Sequence, residues 1–364
     1  MDKIVKVLLV GAAFSADLHM DGYARFFDKA KVVAICDKNP DRVKALADKY
    51  GLIDYTVYTD YKEAVENTDC DMIDICMPNF LHCEVALLAL EKGRNIICEK
   101  PLATTVEDAQ KIVDKANEVG RHIYYAEDWM FAPAVLRGLA VVNEGAIGEP
   151  VYMRARECHS GSHSPFAQTL AFCGGGCMVH LGIHPVSFML SLKNNEWTEL
   201  MAMTSGGGEK NFIHKTMEGE DWSACMIKFS DGTSAVLESN YVTSGGMEDL
   251  IDFYGTEGCV HVDLNFTSAV SCFSIPGVSY TIEKAEITTG WSRPAVDEKY
   301  NLGYVGEIGH FIECCVKDQD AKMGLRGVDG LEALMVVNYI YQSAREGKMI
   351  VNPKITGTKT EVSN

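Results

Sequence analysis

Ile96-Ile97-Cys98-Glu99-Lys100-Pro101-Leu102-Ala103 is the stretch on which the reading of the fold turns. An apolar run ends abruptly in a carboxylate and an ammonium, and a proline follows. Proline has a fixed φ and no N–H, and it drives the residue before it into an extended conformation. The sequence therefore places Lys100 at the tip of a strand, ahead of a helix opening near Thr104-Thr105-Val106-Glu107. In a doubly wound sheet, ligands sit outside the carboxyl ends of the strands. A lysine held there is a candidate for substrate chemistry, although Glu99 and Lys100 taken alone could equally be a solvated pair on a loop.

On either side, short β-rich runs alternate with helical patterns. Residues 4–10 end at Gly11, and an amphipathic stretch follows over 17–30. Residues 31–36 end at Asp37, and Asn39-Pro40-Asp41 opens the next helix with proline in its first turn. Residues 72–76, 95–98 and 122–125 are further strands, with a helix running from Pro78 through Leu90. Strands separated by helical runs argue for a parallel sheet with right-handed crossovers. The expected class is α/β, an amino-terminal Rossmann sheet followed by an α+β domain with a large, mostly antiparallel open sheet. A chain of 364 residues is long for one core, so two domains are expected. The boundaries read 1–126 for nucleotide binding, 127–350 for substrate binding and oligomerisation, and 351–364 for a tail. The carboxy-terminal helix is free to pack back on the first domain.

Composition narrows the function classes. Apolar content of 47% with 23% charged residues describes a globular chain without a bilayer-length apolar run. The opening apolar run is short and lacks a signal-type cleavage site, so it reads as a strand. A net charge of −18 repels phosphates and argues against nucleic acid or an anionic membrane as partner. Thirteen cysteines without a secretory signal point to free thiols in a reducing cytoplasm. Cys173 and Cys177 have no matching second pair for a structural zinc site.

The phosphate-binding turn is Gly11-Ala12-Ala13-Phe14-Ser15-Ala16. The dinucleotide fingerprint asks for glycine at its first, third and sixth positions. Gly11 is kept, whereas Ala13 and Ala16 replace the other two. Asp37 restores the case, because a carboxylate after the second strand can bind ribose hydroxyls and repel a 2′-phosphate, favouring NAD over NADP. A plain turn or helix-capping role is the alternative for Asp37.

With Met77-Pro78-Asn79-Phe80-Leu81-His82, Glu99-Lys100-Pro101 and Gly174-Gly175-Gly176 leading to Gly182-Ile183-His184, nearly the whole chain resembles the glucose–fructose oxidoreductase and inositol 2-dehydrogenase family (Gfo/Idh/MocA). The resemblance implies NAD(P)-dependent chemistry at a carbinol carbon of a sugar or cyclitol. It implies that Lys100 and His184 face the substrate hydroxyl near the nicotinamide. The cofactor set it suggests is Gly11, Ala13, Phe14, Ser15, Asp37, Pro78, Asn79, His82, Glu99 and Lys100. The family usually has Asp where His180 stands, so this chain departs at a presumed catalytic position. It also implies that one face of the second sheet builds a subunit interface, giving a homo-oligomer, dimer or tetramer.

The residues of the second half agree with a polar ligand. Glu127 and Trp129 follow the last Rossmann strand and are candidates for sugar contact, with core packing the alternative for Trp129. Residues 151–156 read as a strand ending in Glu157-Cys158-His159-Ser160-Gly161-Ser162-His163, an unusually polar loop. The glycine run reads as the start of one helix through His184, with free N–H groups able to hold a ligand oxygen and with His180 and His184 on one face. Glu157, His159, His163 and His180 complete the substrate set. The same histidines could ligate a metal, but the His-Glu-x-x-His signature is absent and hydride transfer needs no metal, so none is expected. Hairpin strands flank Asp231-Gly232, and strands at 250–254, 259–262 and 278–282 continue a meander. Residues 303–316 and 329–345 are helical.

The mechanism follows from charge at a carbinol. His184 serves as base, Lys100 stabilises the alkoxide, and His180 orients the substrate or relays the proton. The expected activity is NAD-dependent oxidation or reduction of a secondary hydroxyl of a sugar, cyclitol or glycoside, the C3 hydroxyl of a glycoside included. The alternatives are a redox-neutral glycosidase that retains NAD, and a non-catalytic sugar- and NAD-sensing regulator.

Overall fold

A computed structural model describes residues 3–162, 164–265 and 268–356. The predicted site residue His163 lies outside the described residues, as do residues 357–364 of the predicted tail. The chain forms two compact units, Met1–Phe131 with Gly303–Leu331, and Ala132–Leu302 with Glu332–Asn364.

In the first unit, β1 (Val5–Val10), β2 (Ala30–Cys36), β3 (Thr56–Tyr58), β4 (Met72–Ile75), β5 (Asn95–Glu99) and β6 (Ile123–Ala126) pair in the order β3-β2-β1-β4-β5-β6. Every pairing is parallel. Strands β4, β5 and β6 are buried throughout, as expected where helices cover both faces of a parallel sheet. Local chemistry sets the helix ends. Asn39 caps the helix Pro40–Tyr50 through the Asp41 N–H, with Pro40 at its first position and left-handed Gly51 beyond its last. Thr105 caps Val106–Val119 through the Asp108 N–H. The order 3-2-1-4-5-6 puts a switch point between β1 and β4, where such sheets bind nucleotides.

Residues 303–331 belong with this unit, although a continuous reading of the sequence assigns them to the second domain. Helix Tyr304–Lys317 packs on helix Phe14–Arg25 at two glycines. A Cβ on Gly22 would lie 2.6 Å from the Ile308 Cβ, and one on Gly309 2.6 Å from the Phe26 ring. Close approach through absent side chains holds the returning helix.

The second unit carries a seven-stranded sheet in the order β12-β11-β7-β10-β9-β8-β15. Its members are β7 (Pro150–Cys158), β8 (Trp197–Thr204), β9 (Trp222–Phe229), β10 (Ser234–Asn240), β11 (Glu248–Gly255), β12 (Cys259–Asp263) and, after a small ribbon of β13 (Cys272–Ser274) and β14 (Gly290–Ser292), β15 (Ile350–Val351). All pairs are antiparallel except β7 with β10. Residues 278–282, expected as a strand, form none. The predicted tail starts later than residue 351. β15 pairs with β8, and the Asn352 side chain donates to the Trp197 carbonyl at 2.7 Å. Buried and exposed residues alternate along β9, so one sheet face packs inward and the other is open. Met201 faces Met226 across β8 and β9, and both are exposed.

Among the described residues, no single helix is long and apolar enough to cross a membrane. One bent pair, Leu170–His180 with Ile183–Leu192, passes by length and composition together. Residues 183–190 of that pair are buried inside the second unit.

Candidate active site

The first unit builds a nucleotide seat at the end of β1. Gly11 turns the chain with φ +109°, and a Cβ there would sit 2.1 Å from the Cys76 carbonyl oxygen, so only glycine fits. The Ala12 N–H donates to Asp37 Oδ2 at 3.0 Å, and the Asn39 N–H donates to Asp37 Oδ1 at 2.8 Å. The carboxylate thus ties the glycine turn to the end of β2 while each oxygen keeps a lone pair for a further donor. Helix Phe14–Arg25 starts at Ala13, whose side chain cannot cap it. Ala13 and Phe14 are exposed and Ser15 is half-buried.

Pro78 and Asn79 are half-buried in the turn after β4. His82, predicted among the cofactor contacts, is fully buried. Its Nδ1 lies 2.8 Å from the Pro101 carbonyl and its Nε2 2.8 Å from the Met77 carbonyl. The ring stitches the loop after β4 to the loop after β5, and burial pulls it below the ordinary imidazole value against the two carbonyls. The Lys100–Pro101 peptide is cis.

Beneath Lys100 lies a buried group of ionisable side chains. Glu99 ends β5 and accepts the Lys100 N–H at 3.1 Å. His19, fully buried on the first helix, places Nδ1 at 2.9 and 3.0 Å from the two Asp74 oxygens and Nε2 at 3.2 Å from Glu99 Oε1. Tyr23 donates to Asp74 Oδ2 at 2.8 Å. Burial pushes Glu99 upward, but His19 and Lys100 together hold it below its ordinary value. Asp128, just past β6, is buried beside this group. Burial pushes it up to about 7, the Lys100 charge pulling down and Glu99 pushing further up. Glu127 and Trp129, the predicted neighbours on either side, are buried as well. Asp128 was not among the predicted residues. The sequence shows only a carboxylate just past a strand; that this strand pairs with the Glu99 strand, Glu99 opposite Ala126, is seen only in the fold.

The second unit gathers three of the predicted substrate residues, Glu157, His159 and His180, together with His184, around β7 and β10. His184 is buried, with Nε2 3.6 Å from Glu157 Oε2. His159 follows β7, accepts the Gly161 N–H on Nδ1 at 3.0 Å, and sets its ring 5.3 Å from that of Tyr241. The half-buried His180 meets the same Tyr241 ring edge-on at 6.4 Å. A cavity of about 200 Å³ lies alongside, lined by Ser160, Ser162, Gln168, His214 and Tyr241 among others.

Two expectations for this region are corrected. His180 and His184 do not share a helix face, because the helix breaks between Cys177–His180 and Ile183–Leu192 with a 57° bend. Gly182 at the break is packed so closely that a Cβ would meet Met178 Sδ at 2.2 Å and Ser239 Oγ at 2.9 Å. Nor are the N–H groups after the glycine run free. Those of Cys177 and Met178 donate to the Glu220 carbonyl and to Glu220 Oε1, and that of Gly176 to the Tyr341 hydroxyl. Glu220, buried, also accepts from the Tyr341 hydroxyl at 2.9 Å. It comes from 42 residues downstream, and the glycine run by itself carried no sign of it.

A 3-2-1-4-5-6 parallel sheet, a glycine turn tied to an acidic residue after β2, and a lysine at the carboxyl end of β5 define a dinucleotide-binding oxidoreductase. Comparison with known proteins agrees. The model described as "Oxidoreductase family, NAD-binding Rossmann fold" matches residues 5–127, and "GFO/IDH/MocA C-terminal domain" matches residues 136–261. The chain belongs to the Gfo/Idh/MocA oxidoreductase family. Among curated relatives, levoglucosan dehydrogenase of Pseudarthrobacter phenanthrenivorans is 27% identical, with 97% of this chain and 99% of that protein covered. D-glucoside 3-dehydrogenase of Escherichia coli is 25% identical over 95% and 97%. Among solved structures, GenD2 from gentamicin A biosynthesis, in complex with NAD, superposes with a TM-score of 0.86 at 22% identity, covering 97% of both chains.

Proposed function

We propose that this protein is an NAD-dependent dehydrogenase acting on a secondary hydroxyl of a sugar or glycoside, the C3 hydroxyl of a glycoside being the favoured position. The observation that carries the reading is Lys100 at the carboxyl end of β5, with Glu99 and Asp128 beside it, in the same unit as the Gly11 turn. The names of the glucoside and levoglucosan dehydrogenases, both aligned over nearly their full length, support the substrate class.

The residues present fit a dinucleotide. The Gly11 turn leaves no side chain in the path of a pyrophosphate, the uncapped helix start offers N–H groups, and Asp37 has acceptor capacity for ribose hydroxyls. A carboxylate in that position favours NAD over NADP. Ala13, Phe14 and Ser15 would line the phosphates, and Pro78 and Asn79 the nicotinamide ribose, with His82 holding their loop. Once bound, the nicotinamide supplies the acceptor for a hydride.

The chain's own groups manage the proton. Loss of hydride from a carbinol leaves developing negative charge on oxygen, and the Lys100 ammonium stabilises it. His184, with Glu157 beside its Nε2, takes the hydroxyl proton. His159 and His180, gathered around Tyr241, bind further hydroxyls, and Glu127 and Trp129 are the substrate candidates of the first unit. The open face of the second sheet, with Met201 and Met226 exposed, supports a homo-oligomer. Thirteen free cysteines fit a reducing compartment.

The test is a panel of sugars, cyclitols and glycosides with NAD, followed by NADH absorbance. Accumulation of NADH with a glycoside is the expected result. Glycoside cleavage without NADH would replace this reading with a redox-neutral glycosidase. Binding without either product would replace it with a sensor.

A further inference from the structure

Within the first unit, the His19 imidazole is enclosed by acids. Asp74 on β4 accepts from Nδ1 through both oxygens at 2.9 and 3.0 Å, and Glu99 on β5 stands 3.2 Å from Nε2. The Cys76 thiol lies 3.5 Å from Nδ1, Tyr23 from the same helix donates to Asp74, and the Tyr304 ring packs 6.3 Å away. Glu307, on the helix that returns from residue 304, is completely buried, and neither of its oxygens makes a hydrogen bond of good geometry among the described residues. Asp128, past β6, completes the set. Three other carboxyl groups thus surround Glu99. His19, Lys100 and the buried His82 act on Glu99; Lys100 and His19 act on Asp128; His19 and Lys322 act on Glu307.

Buried carboxylates need a paired cation to stay ionised. Lys100 faces the reaction and cannot serve them all. We propose that His19 is a positioning residue: held as a cation between Asp74 and Glu99, it supplies the buried positive charge that keeps Glu99 and Asp128 ionised, so that they in turn orient the Lys100 ammonium. The directions agree. Burial disfavours charge on His19, but Asp74 and Cys76 together outweigh it and hold the ring well above the ordinary imidazole value. Asp128, pushed to about 7 mainly by burial, is pulled down by Lys100 and His19 and pushed up by Glu99. Glu307 is held well above the carboxylate range by burial, His19 pulling down while Asp128 and Glu99 push up. It stays a neutral acid and contributes no charge. This inference rests on the reading of Lys100 given above.

The sign of the effect is fixed. With Asp128 ionised only above about 7, turnover in the oxidative direction has an acid limb near neutrality. Removing the His19 charge takes away a downward pull on Asp128, so the limb moves to higher pH in His19→Gln, by about one pH unit for the loss of one nearby buried charge. Asp74→Asn moves it the same way, because the ring loses the partner that charges it. Glu307→Gln replaces a neutral acid with a neutral amide in the same cluster, and the limb stays in place. Histidine NMR of the cofactor-free protein supplies a readout that needs no substrate. The signal missing in His19→Gln identifies the ring, which remains imidazolium at about pH 8, where a free imidazole with pKa of about 6.5 is neutral. If His19→Gln does not fold, Asp74→Asn carries the same NMR measurement, with the ring turning neutral. A neutral His19 at that pH in the unmodified protein overturns the proposal even if Lys100 proves essential. An equal shift of the limb in Glu307→Gln overturns it too, since the effect would then be packing. Conversely, an imidazolium His19 with an active Lys100→Met variant leaves the cation in place and removes the assignment of Lys100 instead.

Discussion

In the proposed reaction the chemistry turns on Lys100, and its neighbours explain why. A lysine on an open loop would be an ordinary solvated charge, but this one follows a fully buried strand and stands over Glu99 and Asp128. Replacing it by methionine keeps the length of the side chain and removes the charge. Lys100→Met is expected to lower hydride transfer by on the order of 10²–10³-fold, the usual cost of losing one preorganised donor to a developing oxyanion. NAD affinity, measured by quenching of intrinsic fluorescence, should remain largely intact. Near-normal turnover in this variant would take Lys100 out of the mechanism. Glu99, Lys100, Pro78 and the Gly11 turn could all be singled out in the sequence because each is marked by its own neighbours. Asp128 could not, because its unusual character comes from burial beside Lys100. His19 and Asp74 stand 55 residues apart, and only the pairing of β1 with β4 brings them to 2.9 Å.

At the scale of elements, glycine governs which helices touch and where they stop. Gly22 lets helix Tyr304–Lys317 lie against helix Phe14–Arg25. Gly22→Ala would gain up to about 1 kcal/mol of helix propensity. It would also force a methyl group to within 2.6 Å of the Ile308 Cβ. Overpacking typically costs about 1–3 kcal/mol, so the clash wins and the variant is expected to unfold at lower denaturant concentration. A stabilised Gly22→Ala protein would show that the returning helix is not tightly docked. The break at Gly182 adds a proline to this rule. Periodicity through 177–184 reads as one helix, but Pro185 has no N–H and its ring would clash with the Leu181 carbonyl in a straight continuation. The helix therefore breaks ahead of it at Gly182, where the absent side chain leaves room for Met178 and Ser239. Glu220 likewise reaches the start of the helix from β9's leading edge, taking N–H groups that a local reading leaves open.

For the whole molecule, the chain leaves the first unit after Phe131 and comes back to it at Gly303. The second unit's open sheet face has methionines paired across β8 and β9, while farther along Arg154 binds Asp252 at 2.8 Å. An apolar patch beside ion pairs suits contact with a second copy of the same surface. Met226→Asp is expected to shift the protein from oligomer toward monomer in sedimentation velocity, because one carboxylate per copy would be buried unpaired. A monomeric unmodified protein at micromolar concentration would contradict the interface.

Strand and helix order, the α/β class, the Gly11 turn and the Glu99-Lys100-Pro101 tip were all legible in local patterns, since period, capping residues and proline act over a few residues. What only the folded chain decided were the long-range meetings. They include the return of residues 303–331, the enclosure of His19 by Asp74 and Glu99, the burial that turns Asp128 into a group titrating near neutrality, and the occupation of the glycine-run amides by Glu220. The reason is physical. Local conformation depends on adjacent backbone and side chains, whereas ionisation and helix docking depend on burial and distance, which exist only once remote segments have packed together.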